Sequence, residues 1–214
     1  MKGFLPPLLR SVRNILFPCP PHKQDIPRIY EVFIKHFAPF PQTHCGITFF
    51  LQYKNPSVKN LIEELKRYNN TLFFYFTGRI IASYLVTKKI SDSNIYLIPI
   101  PQTKNRLRKR GYDVTKNISR AIRENTQPIK LLAGSDFLEH TRTLHQSGFT
   151  HRRERLESAE GMFRITRKVD QISAGSPCIL IDDVCTTGAS MNEAEKILQE
   201  SGWVVLEKIT LAHS

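Results

Sequence analysis

Two adjacent carboxylates, Asp182 and Asp183, close a short apolar run from Ile179 to Ile181. A turn of small residues follows, Thr186-Thr187-Gly188-Ala189-Ser190, and then Met191, Ala194, Ile197 and Leu198 recur at helical spacing, with Gly202 as a C-terminal stop. A buried strand, a tight turn and a helix N-terminus make a phosphate site, because unpaired amides and the positive end of the helix dipole face the anion. Thr186, Thr187 and Ser190 add hydroxyl donors, and Gly188 lets the backbone approach closely. Carboxylates cannot bind phosphate directly, so the acid pair calls for another partner, and a sugar diol or Mg²⁺ fits. Phosphate and diol together describe a phosphorylated ribose. The plainer alternative is a strand with two capping aspartates and an ordinary turn.

A second constellation precedes the first. Ile98-Pro-Ile-Pro101 runs into Gln102, Thr103 and Lys104, and from Lys104 to Arg123 there are eight basic residues and one acid, Asp113. A charge run is ordinarily a solvated face. This one follows directly on a strand end, which is where open α/β sheets bind ligands. Arg106, Arg108, Lys109 and Arg110 are therefore candidates for a nucleic-acid contact, since Lys and Arg neutralise a DNA backbone and a pyrophosphate by the same physics. Tyr112, Phe137 and Phe149 lie near the basic segments and could stack bases, although core packing is the expected role of Phe137.

The elements that must position these residues follow from periodicity. Asn55-Pro56 opens a helix whose face is Val58, Leu61, Ile62 and Leu65. Residues 72–87 form a second helix, apolar nearly all round and so buried. A strand over 94–100 leads to a basic helix from Arg110 to Glu124. Further strands are expected at 129–132, 161–166, 178–181 and 204–211. Strands alternating with helices indicate an α/β fold built on a mostly parallel sheet flanked by helices. Residues 1–50 are irregular and Pro-rich, apart from an amphipathic stretch (Leu8, Leu9, Val12, Ile15, Leu16) that packs on its own domain or, alternatively, lies on a membrane. The chain thus divides into an N-terminal segment, 1–50, and a main domain, 51–214.

With 214 residues, 41% of them hydrophobic, the chain can build one substantial core. No apolar run approaches the ~20 residues of a membrane span. Arg10 and Arg13 interrupt the apolar N-terminal stretch, so no signal peptide is read and a cytoplasmic location is the expectation. Cys19, Cys45, Cys178 and Cys185 show no C-x-x-C spacing and are expected as free thiols, the last two as small buried hydrophobes. A formal charge of +12 favours an anionic partner without choosing among nucleic acid, phosphorylated metabolite and acidic membrane.

The order of hydrophobics, acid pair, T-T-G-A-S turn and amphipathic helix resembles the phosphoribosyl-pyrophosphate (PRPP) site of type I phosphoribosyltransferases. The resemblance implies a type I phosphoribosyltransferase-like fold. It implies that Asp182 and Asp183 contact the ribose hydroxyls and that Thr186 to Ser190 grip the 5-phosphate. It also implies that Gln102, Thr103 and Lys104 hold pyrophosphate, that Mg²⁺ accompanies PRPP, and that residues 141–163 form a lid. Arg142, His145, Gln146, His151, Arg152, Arg153 and Arg155 crowd that segment, and an exposed basic linker is its alternative reading. One departure concerns chemistry. Where many family members carry an Asp, often assigned as general base, this chain has Thr186, which cannot take up a proton near neutral pH.

A narrower likeness joins several separated segments: Leu8 to Cys19, the Tyr53-x-x-Pro56 stretch through Lys66, R-x-R-K-R-G-Y-D from Arg106, Arg142 to Phe163, and D-D-V-C-T-T-G-A-S. In this order they resemble the ComF family of competence proteins. That resemblance implies PRPP binding together with handling of single-stranded DNA in natural transformation, and other competence proteins, a DNA-uptake helicase or a recombination mediator, as partners. The chain departs from the family at its zinc finger. Cys19, His22, His36, His44 and Cys45 could supply four ligands only in an irregular arrangement, so zinc is not expected. The alternatives are a metabolic phosphoribosyltransferase acting on a nucleobase or amine, and a non-catalytic PRPP sensor.

Overall fold

The computed structural model describes residues 41–67, 71–88, 94–126, 131–133, 136–141, 161–166 and 174–214. The amphipathic stretch at 8–16, the possible zinc ligands Cys19, His22 and His36, Phe149, and the arginine-rich segment 142–160 lie outside them.

Alternation along the central strand organises the molecule. β7 (Pro177–Cys185) lies between β3 (Ile95–Pro99) and β8 (Val204–His213), parallel to both. Ile179 and Ile181 face one hydrophobic core, while Cys178 and Leu180 face another. A strand apolar on both faces must be covered on both, and parallel sheets with helical crossovers provide that cover. The full sheet runs β1-β2-β8-β7-β3-β4, with β1 at Gln42–His44, β2 at Ile47–Gln52 and β4 at Leu131–Ala133. Only the β1–β2 pair is antiparallel. The α/β fold with a mostly parallel sheet flanked by helices is thus the observed one.

Helix α1 (Pro56–Arg67), α2 (Thr71–Thr87) and α4 (Val114–Asn125) cover the first face, burying Val58, Leu61 and Ile62, then Phe73, Phe76 and Ile80, then Ile118 and Ile122. Asn55 caps α1, its Oδ1 accepting from the Ser57 and Val58 amides. Helix α5 (Ala189–Glu200) covers the second face with Met191, Ala194 and Leu198. β5 (Leu138–His140) and β6 (Phe163–Ile165) pair antiparallel as a separate two-stranded sheet beside it. That small sheet brackets the segment expected as a lid.

Three local expectations change. The basic helix expected from Arg110 to Glu124 starts at Val114 as α4, and a further helix, α3 (Lys104–Arg110), precedes it. Gly111, at φ 77°, ends α3, and the Asp113 carboxylate caps α4 by accepting from the Lys116 amide. β7 continues through both aspartates to Cys185 instead of stopping at Ile181. The boundary expected at residue 50 falls inside β2, which pairs with β8 in the main sheet. Cys178 and Cys185 are buried free thiols, as read from the sequence. Among the described residues no helix is long and apolar enough to cross a membrane.

Gly78 of α2 sits where α2 meets α4; a Cβ there would come within 2.6 Å of the Ala121 Cβ and backbone carbon. Alanine gains up to ~1 kcal/mol over glycine in helix propensity, whereas overpacking a tight contact costs about 1–3 kcal/mol. Gly78→Ala is therefore expected to lower stability despite its helix propensity. Urea denaturation followed by circular dichroism checks this; an unchanged or raised midpoint would refute the close contact.

Candidate functional site

The acid pair sits in the C-terminal half of the central strand, where each carboxylate accepts from the next residue's amide. The Asp183 amide donates to Asp182 Oδ1 at 2.8 Å, and the Val184 amide to Asp183 Oδ1 at 2.6 Å. Asp182 lines a polar recess with Gln102, Thr103, Arg106, His140 and Ser190. The same aspartate also borders the turn, Thr186 to Ser190. One carboxylate therefore stands between the loop after β3 and the turn after β7.

Asp183 has a partner that the sequence reading missed. Lys66 Nζ lies 2.7 Å from Asp183 Oδ2, and the two side chains are only 10% and 13% exposed. Lys66 is itself held, because the Tyr112 hydroxyl donates to its backbone carbonyl. Tyr112 also packs edge-on against Phe74. Phe137 is buried among Tyr96 and Trp203, the core role expected of it. Helical spacing was the available signal for Lys66: it lies on the same side of α1 as Ile62, which is buried.

The electrostatics divide the pair. Burial and the repulsion of Asp183 push the Asp182 carboxyl up to about 8. Asp183, although burial opposes its charge, is held below the usual carboxylate range by the Lys66 ammonium and the Val184 amide. Arg106 favours the charged form of both. Adjacent acids with separated titrations give one fixed anion and one carboxyl able to gain or lose a proton near neutrality.

The turn after β7 is shaped around Gly188. Gly188 has φ 78°, and a Cβ on it would meet Ile47 Cδ1 at 3.0 Å, so both conformation and space favour glycine. Thr187 Oγ1 accepts from the Ala189 amide at 3.4 Å, and Thr186 is exposed at the rim. Helix α5 behind the turn is pinned to β8 by Lys208, whose Nζ donates to Asn192 at 2.9 Å and to Glu195 at 2.5 Å. Glu193 on the same helix accepts from the Gly161 amide at 2.7 Å, which ties α5 to the turn before β6.

The loop after β3 holds the other candidates unevenly. Gln102 is buried and its Oε1 accepts from Arg110 at 3.4 Å; Thr103 caps α3. Lys104, expected in the pyrophosphate loop, is exposed and outside the recess, whereas Arg106, assigned from sequence to nucleic acid, lines it. Arg108 and Lys109 are exposed on α3, which buries none of its residues. His140 Nε2 bonds the Pro101 carbonyl at 2.9 Å, and burial lowers its pKa, keeping the ring neutral against the loop. Among the described residues no cluster of three potential ligands could cage a metal. Mg²⁺ is commonly held by one or two carboxylates with substrate phosphates and water, and Asp182 fits that use.

No protein-family model matches the chain, and no curated protein matches it. Among solved structures it is similar to adenine phosphoribosyltransferase of Leishmania tarentolae, at 10% identity and TM-score 0.46 over 82% of this chain and 95% of that one. It is similar to the Leishmania donovani enzyme at 14% identity and TM-score 0.43, over 82% and 86%. For the Saccharomyces cerevisiae enzyme the values are 15% and 0.36, over 76% and 72%. Likeness at this level carries no argument about activity.

Asp182 should titrate near pH 8 in a carboxylate-resolved NMR experiment, and Asp183→Asn should return it toward the ordinary carboxylate range by removing the adjacent charge. Between the ordinary value and about 8 the folded chain keeps a proton that the unfolded chain has released. This group therefore makes unfolding easier as pH rises through that window. Asp183 has the opposite sign: its stabilisation is present above the unfolded value and is lost as pH falls through the lower folded one. Asp182→Asn should flatten the fall in stability from about pH 4 to 8. An Asp182 signal that titrates near 4 in the native protein would overturn this division of the pair.

Proposed function

We propose that the chain binds PRPP with Mg²⁺ and acts as a ComF-like protein in handling single-stranded DNA during natural transformation. One observation carries the PRPP reading. Asp182 borders both the recess formed by Gln102, Thr103 and Arg106 and the Thr186–Ser190 turn, so a diol site lies between two anion sites. PRPP has that sequence of groups: a 5-phosphate, a ribose diol and a pyrophosphate at the anomeric carbon.

In this reading the turn amides, Thr187 and Ser190 take the 5-phosphate at the N-terminus of α5. Asp182 and Asp183 accept from the ribose hydroxyls, with Lys66 keeping Asp183 charged and oriented. Thr103 and Arg106 face the pyrophosphate, and Gln102, held by Arg110, shapes the loop. Mg²⁺, when bound with PRPP, neutralises pyrophosphate oxygens. Thr186 offers no proton acceptor at the turn, so positioning and charge stabilisation are what these residues contribute. The DNA reading rests on the exposed Arg108 and Lys109 of α3, the chain's +12 charge and the segment likeness. A second reading, a transferase with a ring acceptor, is favoured by a polar cleft of ≈ 730 Å³ on the other side of the same turn.

Measured above the Asp182 titration near pH 8, Asp182→Asn should weaken PRPP/Mg²⁺ binding by roughly tenfold or more, since a charge-assisted hydrogen bond is worth about 1.5–3 kcal/mol. It is a cleaner test than replacing both aspartates with Asn, which would also leave the buried Lys66 ammonium without its carboxylate and destabilise the fold. Calorimetry giving wild-type affinity for Asp182→Asn would remove PRPP from the site.

The two functions separate on α3. Arg106→Ala should weaken PRPP binding, whereas Arg108→Ala with Lys109→Ala should leave it unchanged. The latter pair should lower the slope of log DNA affinity against log salt by about 1.4, from ~0.7 per phosphate contact on a single strand. Unchanged DNA affinity and slope in the Arg108/Lys109 variant would show that α3 is not the DNA surface.

A further inference from the structure

His140 stands at a joint in the wall of the recess that Thr103, Arg106 and Asp182 also line. Its Nε2 bonds the Pro101 carbonyl at 2.9 Å, which ties β5 to the loop after β3. The Met162 carbonyl, just before β6, lies within bonding reach of the same ring and accepts from the Thr141 amide at 3.0 Å. Across the small sheet the ring packs on its strand partner Phe163, with centroids 4.9 Å apart. Alternation puts Leu138, His140, Phe163 and Ile165 on one face and the Glu139–Arg164 ion pair on the other.

A neutral imidazole has one N–H to donate, and an imidazolium has two. The two carbonyls beside His140 favour the charged form, whereas burial and the Arg106 guanidinium oppose it and prevail. The other charged groups around the recess, among the described residues, are already held. Asp183 of β7 is paired with Lys66 at 2.7 Å, and Glu193 of α5 accepts from the Gly161 amide. Asp182, its carboxyl pushed up to about 8, carries no full charge near neutrality. Arg106 is therefore the charge whose effect on His140 a ligand can change. An anion beside Arg106 offsets that repulsion and adds its own attraction, in a recess where water screens weakly.

We propose that His140 is a proton-taking positioning residue: when a polyphosphate enters beside Arg106, the ring takes a second proton from solvent and, as imidazolium, holds the Pro101 and Met162 carbonyls together. The loop after β3 is then fastened to the β5–β6 sheet around the bound anion. No covalent bond to carbon changes, and the single proton comes from the buffer. The inference rests on the PRPP reading only in expecting a polyphosphate in this recess. Its sign follows from linkage: the bound ring holds its proton to a higher pH than the free ring, so anion affinity falls as pH rises between those two values.

Long-range ¹H–¹⁵N spectra of the imidazoles give the protonation state of His140 directly. The full chain is compared free, with inorganic pyrophosphate and no metal, and with PRPP/Mg²⁺, from about pH 6 to 8, the range in which imidazoles titrate. Near neutrality the free ring should show one protonated nitrogen, and the pyrophosphate-saturated ring two. His140→Gln keeps one donor but cannot take up a proton. The ratio of wild-type to variant pyrophosphate affinity should therefore rise about tenfold as pH falls across that range, since one pKa unit is tenfold in affinity. A purely structural role would leave the ratio constant with pH. Should His140→Gln fail to fold, the wild-type spectra decide alone. A ring that stays neutral with pyrophosphate bound, a ring already charged in the free protein, or no pyrophosphate binding at all overturns the inference. PRPP binding with the His140 ring unchanged removes this role alone, and protonation by pyrophosphate without PRPP binding removes the PRPP reading alone.

Discussion

Two neighbouring carboxylates at the end of a buried strand repel each other, and the ion pair between Asp183 and Lys66 relieves that repulsion. The pair is almost closed to solvent, so the lysine must arrive with its own support. The Tyr112 hydroxyl on the Lys66 carbonyl provides it, and Tyr112 is set by the turn between α3 and α4. One ion pair therefore ties α1, the α3–α4 corner and the central strand into a single arrangement. Tyr53 adds a bond to Glu63 on the same helix, at 3.0 Å, and burial there pushes its phenol up to about 12. The phenol stays neutral beside the acids.

With Asp183 paired to Lys66, Asp182 is the carboxyl that borders both the recess and the turn. It stands where the loop after β3 and the turn after β7 meet, and the parallel pairing of those strands fixes their separation. Helix α5 contributes from behind: Lys208 holds its first turns to β8, and Glu193 ties it to Gly161. The turn is thus mounted on regular elements, as a preorganised site requires. Within α3 the basic residues divide by position on the helix: Arg106 borders the recess, whereas Arg108 and Lys109 lie exposed outside it.

Composition and pattern determined the class of fold, most of its elements and the presence of a glycine turn ahead of a helix. The apolar run Ile179–Ile181, the helical spacing after Ser190 and the alternation of strands with helices are local signals, and each states its own structure through periodicity. The turn was legible because glycine, hydroxyls and a helix start must be consecutive to cradle an anion. The burial of Cys178 and Cys185 followed from the same run.

Tertiary structure alone decided which distant residues share a site. Lys66 and Asp183 lie on different elements far apart in the chain, and only the packing of α1 beside the end of β7 makes them a pair. Arg106 rather than Lys104 enters the recess because the Thr103 cap sets the rotation of α3, a choice among neighbouring cations that charge counting cannot make. The hairpin of β1 and β2 was hidden in a Pro-rich segment, since its register comes from β8 and not from its own alternation. Through that pairing His44, Phe49 and His213 meet, although nothing local marks them as neighbours. Periodicity reports which face of an element is buried; which side chains meet across the fold is set by long-range pairing.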